Sequence, residues 1–204
     1  MQHQFCSPGG LSHESGADIA VVRRAIEPIE RLLRVFRGRG LPVVHTREGF
    51  LPDLSDCPPL TLARIQRDGQ PLVGREGPLG RVLVRGEPGH EIIPELAPAP
   101  GEFVIDKPGI GTFGRTGLEA ILREARIDHL LVTGVTTDVC VHTFIREAND
   151  RGLNCVLVED ACASFDPQLH AAAVAMTLQQ GGLFGWVADS GALVRALGET
   201  PPAG

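Results

Sequence analysis

HLLVTGVTTDVCV, residues 129–141, decides how this chain folds. Its first seven residues are a short, nearly unbroken apolar run, which reads as a buried strand. A helical pattern follows from about Asp138 to Arg151, so the strand feeds directly into a helix. The same alternation recurs on either side. Upstream, LPVVHT (41–46) and EFVID (102–106) read as strands, and so does NCVLVED (154–160) downstream. Helical spacing marks the segment from Ile26 to Gly40, LEAILREA (118–125), AAAVAMTLQQ (171–180) and GALVRAL (191–197), with GWVAD (185–189) a short candidate strand. Strands that are apolar on both faces and alternate with helices predict an α/β fold around a parallel sheet. Residues 47–100 read as one long irregular connection, a length that usually carries function. The closing TPPAG (200–204) should fray.

Composition narrows the function classes. A chain of 204 residues suits a single domain spanning 1–204, and 43% hydrophobic with 22% charged residues is the balance of a globular protein. The net charge is −6 and there is no basic run, which speaks against nucleic acid as a partner. No apolar stretch approaches the roughly 20 residues of a membrane span, and the first residues lack the basic and apolar regions of a secretory signal. Five cysteines (Cys6, Cys57, Cys140, Cys155, Cys162) at no metal-like spacing read as reduced thiols in a cytoplasm. Lys107 is the one lysine beside eighteen arginines. Arginine stays charged, whereas a lysine ammonium is a compact charge whose pKa can be tuned.

In open parallel sheets, ligands bind beyond the carboxyl ends of the strands. Two such ends carry reactive residues. EFVID runs into Asp106-Lys107-Pro108-Gly109, and HLLVTG into Val135-Thr136-Thr137-Asp138-Val139-Cys140. A cysteine in the first turn of a helix faces the positive end of the dipole, and a nearby ammonium, such as that of Lys107, would lower its pKa further. Cys140 and Lys107 would then form an activated nucleophile and its electrostatic partner, with free amides of the turn as an oxyanion hole. The plainer alternative is that Cys140 is one more buried, inert thiol. Cys155 and Cys162 read as packing, and Cys6 and Cys57 are ambiguous. His45 has a single good ligand neighbour in HTRE, so no metal site is expected there. His142 reads as packing or surface. DKPGIGTFG lacks the GxxxxGK[ST] of a phosphate loop.

These segments resemble a known family. TGVTTDVCV (133–141) is similar to the nucleophile motif of the isochorismatase-like cysteine hydrolases, VIDKPGIGTF (104–113) to their lysine segment, and MQHQF (1–5) to the tail of their first motif. HTREGFLPDL (45–54), RGEPG (85–89), REANDRG (146–152) and QGGLFG (180–185) most resemble the biuret and triuret hydrolases within it. The resemblance implies a three-layer, doubly wound parallel sheet and a catalytic set of Asp, Lys107 and Cys140, with no cofactor and no metal. It also implies a cis peptide at Val135–Thr136, an oxyanion site formed by Val135, Thr136 and Cys140, and substrate contacts from Phe5 and Gln180. The implied activity is hydrolysis of a carbamoyl or ureido amide through a thioacyl intermediate, with biuret giving allophanate and ammonia. Ureidoacrylate, N-carbamoylsarcosine and maleamate are alternatives. Nicotinamide fits less well because the metal-binding Asp-x-His pattern is missing, and isochorismate because the cysteine set points to amides. The resemblance further implies a homo-oligomer, a dimer or tetramer.

The family aspartate would stand immediately before Met1, and Gln4 replaces a later acidic residue of the motif. The expectation is therefore that the first strand and the general base are missing. The natural protein would then carry roughly 20 to 35 further residues, from the length of a strand plus its lead-in. The competing expectation is a truncated, non-catalytic paralogue. Asp18 and Asp106 are the nearest other carboxylates in sequence, and neither is a convincing substitute.

Overall fold

The apolar run at 129–135 forms a strand in a parallel sheet in the computed structural model of the protein, which describes residues 1–198. The TPPAG tail lies outside the described residues. Four helices lead the chain: α1 (His3–Cys6), α2 (Leu11–Glu14), α3 (Ile19–Arg23) and α4 (Ile26–Gly38). Strand β1 (Val44–Glu48) follows. The long connection after it carries α5 (Pro59–Arg64) and a small antiparallel hairpin of β2 (Gln66–Arg67) and β3 (Gln70–Pro71). Then come β4 (Phe103–Lys107), α6 (Leu118–Glu124) and β5 (His129–Val135). A π-helical turn, Thr137–Val141, leads into α7 (His142–Asn149), β6 (Asn154–Ala163), α8 (Pro167–Thr177), α9 (Gln179–Gly182), β7 (Trp186–Ala188) and α10 (Ser190–Leu197).

Local chemistry explains most of these boundaries. In α4, Ile26, Ile29, Leu32 and Leu33 recur at helical spacing and are buried, while Pro28 sits in the first turn, where no amide partner is needed. Asp18, Asp166 and Asp189 each cap a helix, accepting from the amides of Ala20, Gln168 and Ala192. Strand β1 begins later than the expected 41–46, because Pro42 has no N–H to give a ladder, and it runs on through Glu48. The stretch 47–100 is not structureless: Phe50, Cys57, Val73, Val82 and Leu83 pack into a cluster of their own.

Helices cover both faces of the sheet, and β6 shows how. Cys155 and Leu157 point into the core shared with α6, α7 and α8, whereas Val158 points into the core shared with α3 and α4. The register then shifts: Val132 pairs with Leu157, but Gly134 pairs with Cys162. Five residues of β6 (157 to 162) thus span two of β5 (132 to 134), an insertion of three. An odd insertion reverses which side chains face which layer. After it, the even-numbered Cys162 joins the first core, and Ala161 and Ala163 join the second. Gly134 lies at this irregularity with φ of +117°, a region L side chains rarely adopt.

The parallel strands form two separate sheets, β1–β4 and β5–β6–β7. Among the described strands, none pairs with the inner edge of β1 or of β5. A cavity of about 490 Å³ runs between those edges, lined by Val44, Thr46 and Glu48 from β1 and by residues 129–135 of β5.

Glu102 ties α4 to the sheet. Its carboxylate accepts from Arg37 Nε (2.8 Å) and Nη2 (3.0 Å), from the Ala99 amide (2.7 Å) and from His45 Nε2 (2.8 Å). The Arg37 hydrogen bonds in particular hold its pKa at about 2, below the ordinary 4.5, against the opposing effect of burial. A carboxylate depressed in the folded state adds stability that is present above 4.5 and lost as pH falls toward 2. Glu102→Gln should therefore cost about 1.5–3 kcal/mol at neutral pH, the range for hydrogen bonds to charged groups. Urea unfolding across that window should show the variant losing less stability on acidification than the parent; parallel curves would contradict the assignment.

Candidate active site

Three strand ends deliver three reactive side chains to one end of the cavity. Glu48 closes β1 and Lys107 closes β4, and the register pairs them directly. Side chains alternate along a strand, so the preceding pair, Arg47 and Asp106, turns to the opposite face and forms its own ion pair at 2.7 Å. Cys140 arrives from the π-helical turn after β5. Its Sγ lies 3.6 Å from Lys107 Nζ and 3.5 Å from Glu48 Oε2. Lys107 Nζ is 3.2 Å from the same Glu48 oxygen.

Backbone groups fix both partners of the thiol. Lys107 Nζ donates to the carbonyls of Gly109 (2.7 Å) and Ile110 (2.9 Å), which occupies two of its three protons and leaves one for Glu48 and Cys140. Glu48 is held by the buried side chain of Gln2. Gln2 Nε2 donates to the Glu48 carbonyl (2.9 Å), and Gln2 Oε1 accepts from the Glu48 amide (2.8 Å). The Gln2 carboxamide thus serves the open edge of β1 as a neighbouring peptide would. Gly49, next along the chain, lies so close to the His90 ring that any side chain would strike it.

The charge state differs from the sequence expectation. Burial pushes the Cys140 thiol up to about 11, with Lys107 pulling it down and Glu48 raising it again. Cys140 therefore rests as a thiol, not as the near-thiolate expected from a helix start plus a lysine. Removing a sulfur anion from water costs more here than one ammonium returns, and that ammonium is shared with a carboxylate.

The other expected site residues divide. The Val135–Thr136 peptide is cis. Val135 and Phe5 line the cavity beside Cys140 and Lys107. Gln180 is exposed, at a kink in α9 with φ of 52°, and is not among the residues lining that cavity. Cys6, Cys155 and Cys162 are buried in the cores, and burial raises all three thiols. His45 is bound to Glu102, and His142 is buried and accepts from Arg146. Among the described residues no cluster of His, Cys, Asp or Glu could hold a metal. Asp18 caps α3 and Asp106 pairs with Arg47, so neither reaches the thiol. Gln4, buried, accepts from the Leu11 amide and braces the first loop. Glu48 and Gln2 were missed. The available signal was the strand-end rule itself, since a strand drawn two residues further would have brought Glu48 level with Lys107.

A parallel α/β sheet with a cysteine, a lysine and a carboxylate meeting at its strand ends is the architecture of a hydrolytic enzyme using a thiol. The isochorismatase domain matches residues 1–190, and the chain belongs to the isochorismatase-like hydrolase family. Among solved structures, it is similar to an isochorismatase family protein from Desulfovibrio vulgaris (26% identity, 97% of this chain and 94% of that one, TM-score 0.78). It is also similar to N-carbamoylsarcosine amidase from Thermoplasma acidophilum (27% identity, 84% and 85%, TM-score 0.65). A cysteine hydrolase from Pseudomonas syringae shares the fold (24% identity, 97% and 88%, TM-score 0.79).

The difference in thiolate absorbance between the parent and Cys140→Ser isolates this thiol. It should titrate at about 11. Lys107→Met should move it higher still, because the ammonium favours the anion. A midpoint near neutrality, or no response to the lysine, would overturn this electrostatic account.

Proposed function

We propose that this protein is a cysteine-dependent amidohydrolase acting on a carbamoyl or ureido amide, with biuret, giving allophanate and ammonia, the first substrate to test. The observation that carries the reading is the convergence of Cys140 with the chain's single lysine, 3.6 Å apart at the end of the cavity. Similarity to an N-carbamoylsarcosine amidase supports an amide substrate.

In this reading Sγ attacks the amide carbonyl and loses its proton as the S–C bond forms. The amides of Asp138, Val139 and Val141 are already engaged, with Ser164 Oγ and the Thr136 carbonyl. That leaves other amides of the turn free, and the family resemblance assigns the developing oxyanion to those of Thr136 and Cys140. Cleavage of the C–N bond releases the amine and leaves a thioacyl enzyme. Water then hydrolyses it, giving the acid and the free thiol. Lys107, pinned by two carbonyls, supplies positive charge without moving. Thr112 lines the same cavity and offers a hydroxyl to a small neutral amide.

Ammonia release from biuret, N-carbamoylsarcosine, ureidoacrylate, maleamate and nicotinamide tests the class and ranks the substrates. Cys140→Ser and Lys107→Ala should each lower kcat/KM by more than about 10³-fold on whichever amide is turned over. Retention of most activity by either variant would sink the mechanism. Turnover of none of these amides by the parent protein would sink the substrate class.

A further inference from the structure

We infer that His170 is a positioning residue for the Cys140 nucleophile: its ring, hydrogen-bonded to the Thr137 hydroxyl, holds the π-helical turn in the orientation that carries the sulfur to Lys107. This deepens the amidohydrolase reading, on which its kinetic arm rests, but its first test does not need that reading to hold.

The turn that bears Cys140 is held from outside. A π-helical turn is rare, occurs as a single turn beside or within α-helices, and is frequent at functional sites. In the turn Thr137–Val141 the first backbone bonds are long: the Val139 and Val141 amides share the Thr136 carbonyl, at 3.3 and 3.2 Å. No side chain caps its start. The segment after β6 supplies the missing support. Thr137 Oγ1 and His170 Nδ1 are hydrogen-bonded at 2.8 Å. One residue on, the Asp138 amide donates to Ser164 Oγ (3.3 Å), and Ser164 Oγ donates to the Asp138 carboxylate. Ser164 is buried and directly follows β6, while His170 stands in the first turn of α8, which Pro167 opens and the Asp166 carboxylate caps. Two neighbouring residues of the turn are thus pinned to two points of one short, anchored segment.

Packing alone does not account for this pair. Thr137 is fully buried, and its hydroxyl has no hydrogen-bond partner but His170 among the described residues. Valine has nearly the same shape and would fill the space without a hydroxyl to satisfy. Apolar burial is non-directional, whereas a hydrogen bond fixes distance and angle together. What the bond adds is therefore orientation. The sulfur three residues further along stands 3.6 Å from Lys107 Nζ and 3.5 Å from Glu48 Oε2, and a misplacement of about 1 Å can cost on the order of 10²-fold in rate. Neither His170 nor Thr137 lines the cavity that holds Cys140 and Lys107, so both act through the turn and not on a substrate.

The test reads the sulfur's place through its surroundings. Lys107 lowers the Cys140 pKa while burial and Glu48 raise it, so a displaced sulfur titrates differently. The pH midpoint of Cys140 alkylation by iodoacetamide, followed on its own peptide by mass mapping, should move by about 0.5 pH unit or more in Thr137→Val and in His170→Leu. Thr137→Ser keeps the hydroxyl and His170→Asn keeps a polar atom near the Nδ1 position, so both should hold the parent midpoint. Unchanged midpoints in Thr137→Val and His170→Leu would overturn the proposal. An equal shift in Thr137→Ser would also overturn it and point to packing. If Thr137→Val does not fold, as judged by circular dichroism, His170→Leu carries the test from the half-buried end of the same bond. On any amide that is turned over, each of these two variants should lose about 10-fold in kcat with KM little changed, and the double variant no more than either alone. Additive losses would mean that the two residues act separately, against the proposal. Shifted midpoints without turnover of any amide by the parent would uphold the positioning role and reject the substrate class. Turnover with midpoints and kcat unchanged would do the reverse.

Discussion

The immobilised ammonium of Lys107 is the fixed point of this site. Two carbonyls, two and three residues further along the chain, take two of its protons and determine where the third must point. Everything reactive is then measured from it: the Glu48 carboxylate at 3.2 Å and the Cys140 sulfur at 3.6 Å. A buried ammonium without such partners would be strongly disfavoured. The Asp-Lys-Pro-Gly-Ile segment is therefore both the end of a strand and the socket that keeps the charge in place. Arginine could not replace it, because its planar fork would not fit two converging carbonyls and leave one donor for a sulfur.

The thiol shows how burial and charge are weighed against each other. A helix start and a nearby cation both favour thiolate, but desolvation outweighs them, and the neighbouring carboxylate adds to it. The resting site is thus neutral at sulfur and zwitterionic beside it. Such an arrangement protects the nucleophile from casual oxidation, since the thiolate is the reactive form, and ties its activation to a proton transfer.

The layered α/β order was legible because apolar runs and helical periodicity are local properties. Cys140 and Lys107 were legible because strand ends in a parallel sheet are where ligands bind. Glu48 is hidden by a boundary: the apolar run ends at Thr46, and the two further residues that bring a carboxylate to the same level read as loop. The thiol's charge state was hidden because desolvation belongs to the folded surroundings and has no local pattern. The face reversal within β6 was hidden as well. Simple alternation assigns Ala161 and Leu157 to one side, and only the pairing with β5 shows that three inserted residues separate them. Gln180 illustrates the converse, a position that a motif places in the pocket and the chain leaves exposed at a kink.

The divided sheet gives the catalytic distances a mechanical meaning. Glu48 and Lys107 ride on one pair of strands, and Cys140 on the other three. No ladder of backbone hydrogen bonds joins the two groups, so the sulfur's spacing from its partners measures the width of the seam. A change in how the two half-sheets pack across the cavity would therefore move the sulfur away from both of its partners together, while the Glu48–Lys107 pair, carried by one ladder, kept its spacing.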